Sequence, residues 1–140
     1  MKRKKFKIPK VSSVINSSVK IVGELTFDGG LHLEGKIKGN VYGKKDSASL
    51  IIIGKNGSIE GNLEADCVVL DGTVIGDVVS KERVELGENA NVTGTVFYKL
   101  LEMSMGAAVN GRLVHVEEKF EEEEILNNVN FSEDFSDLNN

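Results

Sequence analysis

The chain is poor in residues that crosslink a fold or carry it across a membrane. Its 140 residues include one cysteine, one proline and no tryptophan. A single cysteine excludes an intrachain disulfide, and no apolar run approaches the roughly 18 residues needed to span a bilayer. The basic start has no apolar stretch behind it, so it does not have the pattern of a secretory signal. We therefore expect a cytoplasmic protein.

An excess of positive charge is also absent, because the formal net charge is −5. This balance argues against nucleic-acid binding by bulk electrostatics. The charge is instead divided along the chain: residues 1–10 carry +6, residues 117–140 carry −8, and the residues between them carry −3. The length fits one domain with tails. We place a mostly disordered basic tail at 1–18, the folded domain at 19–116 and a mostly disordered acidic tail at 117–140.

Glycine is abundant, with 15 residues, and much of it belongs to a repeat. The repeat unit is aliphatic-x-Gly-x-aliphatic, as in Ile59-Glu60-Gly61-Asn62-Leu63. Its six central glycines, spaced by 16, 22, 15, 18 and 17 residues, are Gly23, Gly39, Gly61, Gly76, Gly94 and Gly111. An alternating apolar pair such as Ile51/Ile53 precedes most units, and turns rich in Gly, Asn and Asp join pair to unit.

The two-residue alternation predicts short strands with one face buried. One winding cannot bury its own inward face, but stacked windings can. The sequence therefore predicts an all-β fold, a parallel β-helix of about six windings with strands about 4.8 Å apart. On the same alternation we expect the repeat glycines to point inward and to keep a narrow interior from overfilling.

The basic start, the Ile/Val-x-Gly-x-Leu/Val windings and the charged tail together resemble the bactofilins, bacterial polymer-forming cytoskeletal proteins. The resemblance implies a single-stranded, right-handed β-helix that stacks end to end into non-polar filaments without nucleotide. It also implies membrane association through a short N-terminal segment at the inner face of the cytoplasmic membrane. Roles in cell shape and in the positioning of cell-wall enzymes are implied as well. The acidic C-terminus is not a signature of the family.

The ends of the predicted solenoid form the candidate polymerisation interface. Proteins normally block open strand edges, yet no capping element is evident before residue 19 or after residue 116. We therefore expect another copy of the chain to be the main partner, bound through Val19, Ile21, Leu25, Phe27, Leu113, Val114 and Val116. A non-polymerising adaptor that displays its tails to membrane or protein partners is the alternative.

The basic start is the candidate membrane-binding segment. Cations near an anionic leaflet are worth about 1 kcal/mol each, and two apolar side chains among them are available for insertion into lipid. The predicted contacts are Lys2, Arg3, Lys4, Lys5, Phe6, Lys7, Ile8 and Lys10. A solvated basic tail and contact with nucleic acid are the alternatives, and we do not expect nucleic acid to be a partner.

A left-handed hexapeptide acyltransferase is the best enzymatic alternative, but six-residue recurrence does not persist along the chain. Such enzymes need a general base, usually histidine, and only His32 and His115 are present. His32 lies between two inward leucines and should face outward. Cys67 falls one residue off the inward positions, which predicts an inert, partly shielded thiol. We expect no enzymatic activity, catalytic residue, metal or cofactor.

Overall fold

Short strands separated by turns coil into six windings, and the strands of successive windings lie over one another. The structure, a computed structural model, describes residues 10–117. Within that range it is all β, and every strand pairing is parallel. The predicted parallel β-solenoid of about six windings is confirmed. The strands are β1 (Val11–Ile15), β2 (Lys20–Val22), β3 (Leu25–Phe27), β4 (Gly29–Leu33), β5 (Lys36–Lys38), β6 (Val41–Gly43), β7 (Ser49–Ile53), β8 (Ser58–Glu60), β9 (Leu63–Leu70), β10 (Thr73–Ile75), β11 (Val78–Leu86), β12 (Asn91–Tyr98), β13 (Leu100–Met103) and β14 (Ala108–His115).

Strand pairing arranges these elements into three faces. Face A stacks β1, β4, β7, the second half of β9, the second half of β11 and β13. Face B stacks β2, β5, β8, β10 and the first halves of β12 and β14. Face C stacks β3, β6, the first halves of β9 and β11, and the second halves of β12 and β14.

Inward side chains of successive windings form continuous apolar columns. Period-two alternation turns every second side chain of a strand toward the interior, where it meets its counterparts above and below. On face B the outward side chains Lys36, Lys38 and Glu60 are exposed, as the alternation predicts. The inward column of this face consists of Ile21, Ile37, Ile59, Val74, Val92 and Val109.

The solenoid begins earlier than the boundary that we placed at residue 19. Strand β1 pairs with β4 from Val11↔Gly30 to Ile15↔Leu33. Its side chains are mostly exposed, so the apolar alternation that marks the later strands is weak. Backbone hydrogen bonding to the edge of β4 is available to any strand sequence, including this serine-rich one.

The repeat glycines form a column at the corner between faces B and C. All six have positive φ, from +130° at Gly23 to +154° at Gly111, a region that favours glycine. A Cβ on Gly76 would overlap the carbonyl oxygen of Gly61, and the same contact recurs in the later windings. The expectation that these glycines point into the interior is therefore wrong. The position that a Cβ would occupy lies along the solenoid axis, against the glycine of the preceding winding. Glycine is needed there because the backbones of adjacent windings approach closely at this corner.

A ladder of hydrogen bonds reinforces the same corner at the residues that follow four of the six repeat glycines. The Asn62 N–H donates to Oδ1 of Asn40 at 2.9 Å, and the Asp77 N–H donates to Oδ1 of Asn62 at 3.0 Å. The Thr95 N–H continues the series with a 3.0 Å hydrogen bond to Oδ1 of Asp77. These bonds tie successive windings together at the corner between faces B and C.

The axial glycine contact predicts that Gly76→Ala is destabilising. The strained φ costs about 1–3 kcal/mol and overpacking against Gly61 costs about 1–3 kcal/mol. We expect the free energy of unfolding to fall by at least about 2 kcal/mol in urea denaturation followed by circular dichroism. The control is Thr93→Ala, on the exposed outer side of face B, which should change that free energy by less than about 0.5 kcal/mol. Equal effects of the two substitutions would contradict the axial placement of the glycine.

Candidate functional site

The C-terminal end of the solenoid leaves an inward column uncovered. Leu113 is 41% exposed, whereas Val96, directly beneath it in the preceding winding, is fully buried. Met103 is also exposed, above the buried Leu86. Within residues 10–117, β13 and β14 pair with a strand on one side only. This end therefore presents apolar side chains together with the unpaired N–H and C=O groups of open strand edges.

The N-terminal end is open in the same way but better covered. Strands β1, β2 and β3 each pair with one strand within the described range. Ile21 and Leu25 are half-buried against the core, and Phe27 is buried. Val19 is exposed in the turn between β1 and β2, where its N–H donates to the Asn16 carbonyl at 3.0 Å.

The predicted C-terminal contact residues do not all belong to the inward column of the last winding. Leu113 belongs to the open inward column, but Val114 is on the outward side of face C and Val116 is buried in a cluster on that side. Three inward residues of the last winding were missing from the prediction: Leu101, Met103 and Val109. The signal for them was present, because they belong to the last apolar pair and the last glycine unit of the sequence.

The glycine column is also open at both ends. An added Cβ on Gly23 would have no atom within 4 Å, in contrast to every later repeat glycine. At the other end, the carbonyl of Gly111 has no further repeat glycine above it in residues 10–117. The axial glycine contact is thus unfilled at both ends of the described range.

The corner between faces C and A holds a polar network around Cys67. The Asp66 N–H donates to Oγ of Ser49 at 2.9 Å, and the Ser80 hydroxyl donates to the Asp66 carbonyl at 2.7 Å. Cys67 is buried beside this network on the outward parity of face A. Burial raises the pKa of the Cys67 thiol to about 11, and the Glu82 and Asp66 carboxylates add to the shift. These contacts fit the shielded, inert thiol predicted from the sequence.

The two histidines lie in different windings. His32 places Nε2 2.8 Å from Oε2 of Glu34 on the outer side of face A. The ring of His115 lies against that of Tyr98 in the last winding, with the centroids 5.6 Å apart. In residues 10–117 no group of three or more His, Cys, Asp or Glu side chains is arranged to hold a metal. No helix in this range has the length and hydropathy needed to cross a bilayer.

Comparison with known protein families identifies the family to which this solenoid belongs. The family model for the bactofilins, described as polymer-forming cytoskeletal, matches residues 13–114. The chain belongs to the bactofilin family. The resemblance expected from the repeat units is confirmed, and the match includes most of β1.

Two curated relatives of this bactofilin come from Myxococcus xanthus (strain DK1622). Bactofilin BacO is 31% identical over 102 residues, which cover 73% of this chain and 78% of the relative. Bactofilin BacP is 24% identical over 102 residues, which cover 73% of this chain and 41% of the relative. No solved structure matches the chain significantly.

The candidate membrane segment of this bactofilin falls almost entirely outside the described residues. Lys2, Arg3, Lys4, Lys5, Phe6, Lys7 and Ile8 precede the range 10–117. Lys10 is within it and is exposed immediately before β1. Most of the acidic tail, residues 118–140, also lies outside the range.

The reactivity of Cys67 tests its interpretation as a shielded, unreactive thiol. At pH 8 a pKa of about 11 leaves a thiolate fraction about a hundredfold below that of an ordinary cysteine. We expect a maleimide to react at least about a hundredfold more slowly with the native chain than with the urea-unfolded chain. Because the pKa is raised, the native rate should rise about tenfold per pH unit between pH 8 and pH 10. Rapid, pH-independent labelling of the native chain would contradict the assignment.

Proposed function

We propose that this bactofilin is a self-assembling scaffold whose subunits stack end to end through their terminal windings into cytoskeletal filaments. The observation that carries the proposal is the exposure of Leu113 above a fully buried counterpart in the preceding winding. A further winding placed on Leu113 would remove it from water in the way that each winding inside the chain protects the one before it.

The free energy gained by burying apolar side chains at one end is comparable to the free-energy cost of association. Leu101, Met103, Val109 and Leu113 are partly exposed, and full burial of such side chains is worth about 1.5–3 kcal/mol each. Association costs an estimated 4–15 kcal/mol in lost freedom. Backbone hydrogen bonds between the open strand edges add about 0.5–1.5 kcal/mol each. The apolar column and the strand edges together therefore support stacking.

We further propose that growth needs no nucleotide and that like ends meet, as the family resemblance implies. Like-end contacts give a filament without polarity, and strands that meet across such a junction run antiparallel, which open edges also accept. Six windings about 4.8 Å apart make a subunit about 29 Å long, so the like-end repeat is about 58 Å.

Leu113→Arg tests the stacking. Stacking would bury the new charge without a partner, at a cost of several kcal/mol. We expect folded dimers in place of filaments, because the N-terminal ends remain free to pair. Negative-stain microscopy and sedimentation velocity report the outcome.

The matched control for the stacking test is Ile75→Arg, which places the same charge on an exposed outward position of face B in the middle of the solenoid. It should leave filaments intact. Long filaments formed by folded Leu113→Arg chains would rule out stacking through this end, and a wild-type chain that stays monomeric would favour the adaptor alternative.

We also propose that residues 1–10 hold the filament on an anionic membrane surface, at the inner face of the cytoplasmic membrane. Six cations interleaved with Phe6 and Ile8 support this location. Every subunit of a filament repeats the segment, so weak single contacts add up by avidity. A filament held there would be placed to position cell-wall enzymes and so to influence cell shape.

Liposome co-sedimentation tests the membrane proposal. A chain lacking residues 1–9 should lose binding to anionic vesicles, after self-sedimentation is subtracted, while the described strands remain complete. Replacing Lys2, Arg3, Lys4 and Lys5 with Gln isolates the charge contribution, which added salt should also weaken. Replacing Phe6 and Ile8 with Ser isolates insertion into lipid. Equal pelleting of the full and shortened chains would contradict the proposal.

A further inference from the structure

An apolar cluster on the outer side of face C is buried although its side chains point away from the core. Val79, Phe97 and Val114 are successive cross-strand neighbours in β11, β12 and β14. Their strand neighbours Val78 and Val96 are fully buried on the inward side. Together with Val116, they form a cluster separate from the solenoid interior, which we name the outer cluster.

Two side chains of the outer cluster are far less exposed than an outward aliphatic side chain on face B. Val79 and Phe97 are 6% and 7% exposed, whereas Ile75, an outward aliphatic residue of face B in the same winding as Val79, is 50% exposed. The outward side of face C is therefore better shielded from water at Val79 than face B is at Ile75. Within residues 10–117, the apolar side chains packed against Val79 and Phe97 in this cluster are Val114 and Val116. Val114 extends the same layer along the sheet and does not lie over it.

The described chain ends at the edge of this cluster. The Val116 N–H donates to the Tyr98 carbonyl at 2.7 Å, so the chain still follows the last winding at that residue. Residues 118–140 follow in the sequence. These 23 residues, at up to about 3.3–3.6 Å each, are much longer than a face of six strands about 4.8 Å apart.

The chemistry of residues 118–140 suits this surface. The segment is acidic but carries spaced apolar side chains: Phe120, Ile125, Leu126, Val129, Phe131, Phe135 and Leu138. Arg112 lies two residues before Val114 in β14, and Lys99 lies just past the end of β12, two residues after Phe97, with its Nζ 3.8 Å from Oε1 of Glu82. Glu64, the cross-strand neighbour of Val79, adds a carboxylate on the same side of the sheet. We propose that residues 118–140 fold back and pack on outer face C over the outer cluster, so that this face is a docking site occupied by the chain's own C-terminal segment. This inference does not depend on filament formation.

Hydrogen–deuterium exchange of the full-length chain, read by mass spectrometry, tests the docking. Phe97→Ser removes the largest apolar side chain of the site. We expect amides of residues 118–140 to exchange at least about tenfold more slowly in the wild type than in Phe97→Ser, equivalent to about 1.4 kcal/mol. Ile75→Ser, the matched outward control on face B, should leave that exchange unchanged.

Protection of the solenoid strands in the same spectra shows that each variant is folded, and Val114→Ser provides a second, smaller change to the site. The docking is overturned if residues 118–140 exchange at unprotected rates in the wild type, or equally in the wild type and both site variants. Protection that disappears on dilution in parallel with dissociation of an oligomer would identify a second copy as the occupant and would also overturn the proposal.

Discussion

Each inward side chain of this solenoid is shielded from water mainly by the windings on either side of it. Val96 is fully buried because winding six lies over it, and Leu113, one winding further along, is 41% exposed because no winding among residues 10–117 lies over it. The same hydrophobic constraint that builds the core therefore leaves each end incomplete. The family is described as polymer-forming. The hydrophobic effect that builds the core also leaves apolar side chains exposed at the end, and that end is the surface that we propose for assembly.

The corner between faces B and C keeps the windings close enough for that shielding. Glycine backbones stack on one another there, and the Asn40–Asn62–Asp77 ladder adds hydrogen bonds along the axis. Differences in the number of residues per winding are accommodated away from this corner. The longest spacing between repeat glycines, 22 residues, contains the loop between β6 and β7 at the corner of faces C and A. The three faces keep their register because the extra residues leave the stacked strands unchanged.

The outer faces have different chemistry, although each follows the same alternation. Face B is mostly polar, with Lys36, Lys38 and Glu60 exposed around scattered aliphatic residues. Face C carries the outer cluster over its last three windings. A solenoid that grows along its axis repeats any side surface in every subunit, so an uncovered apolar strip there would promote lateral association. Coverage by the chain's own acidic segment would leave axial growth open while limiting lateral contact.

The sequence by itself determined the strand alternation, the six glycine units and hence an all-β solenoid of about six windings, because each of these is local and repeats along the chain. It also placed Leu113 in the last winding. Only the tertiary structure decided that the repeat glycines face along the axis, that β1 joins the solenoid, and that Val114 and Val116 lie on an outer face. Alternation separates inward from outward side chains but carries no information about the axial direction or about what covers an outer surface. Those features depend on contacts between residues far apart in sequence, such as Gly76 on Gly61 and Phe97 beside Val79, which no local pattern encodes.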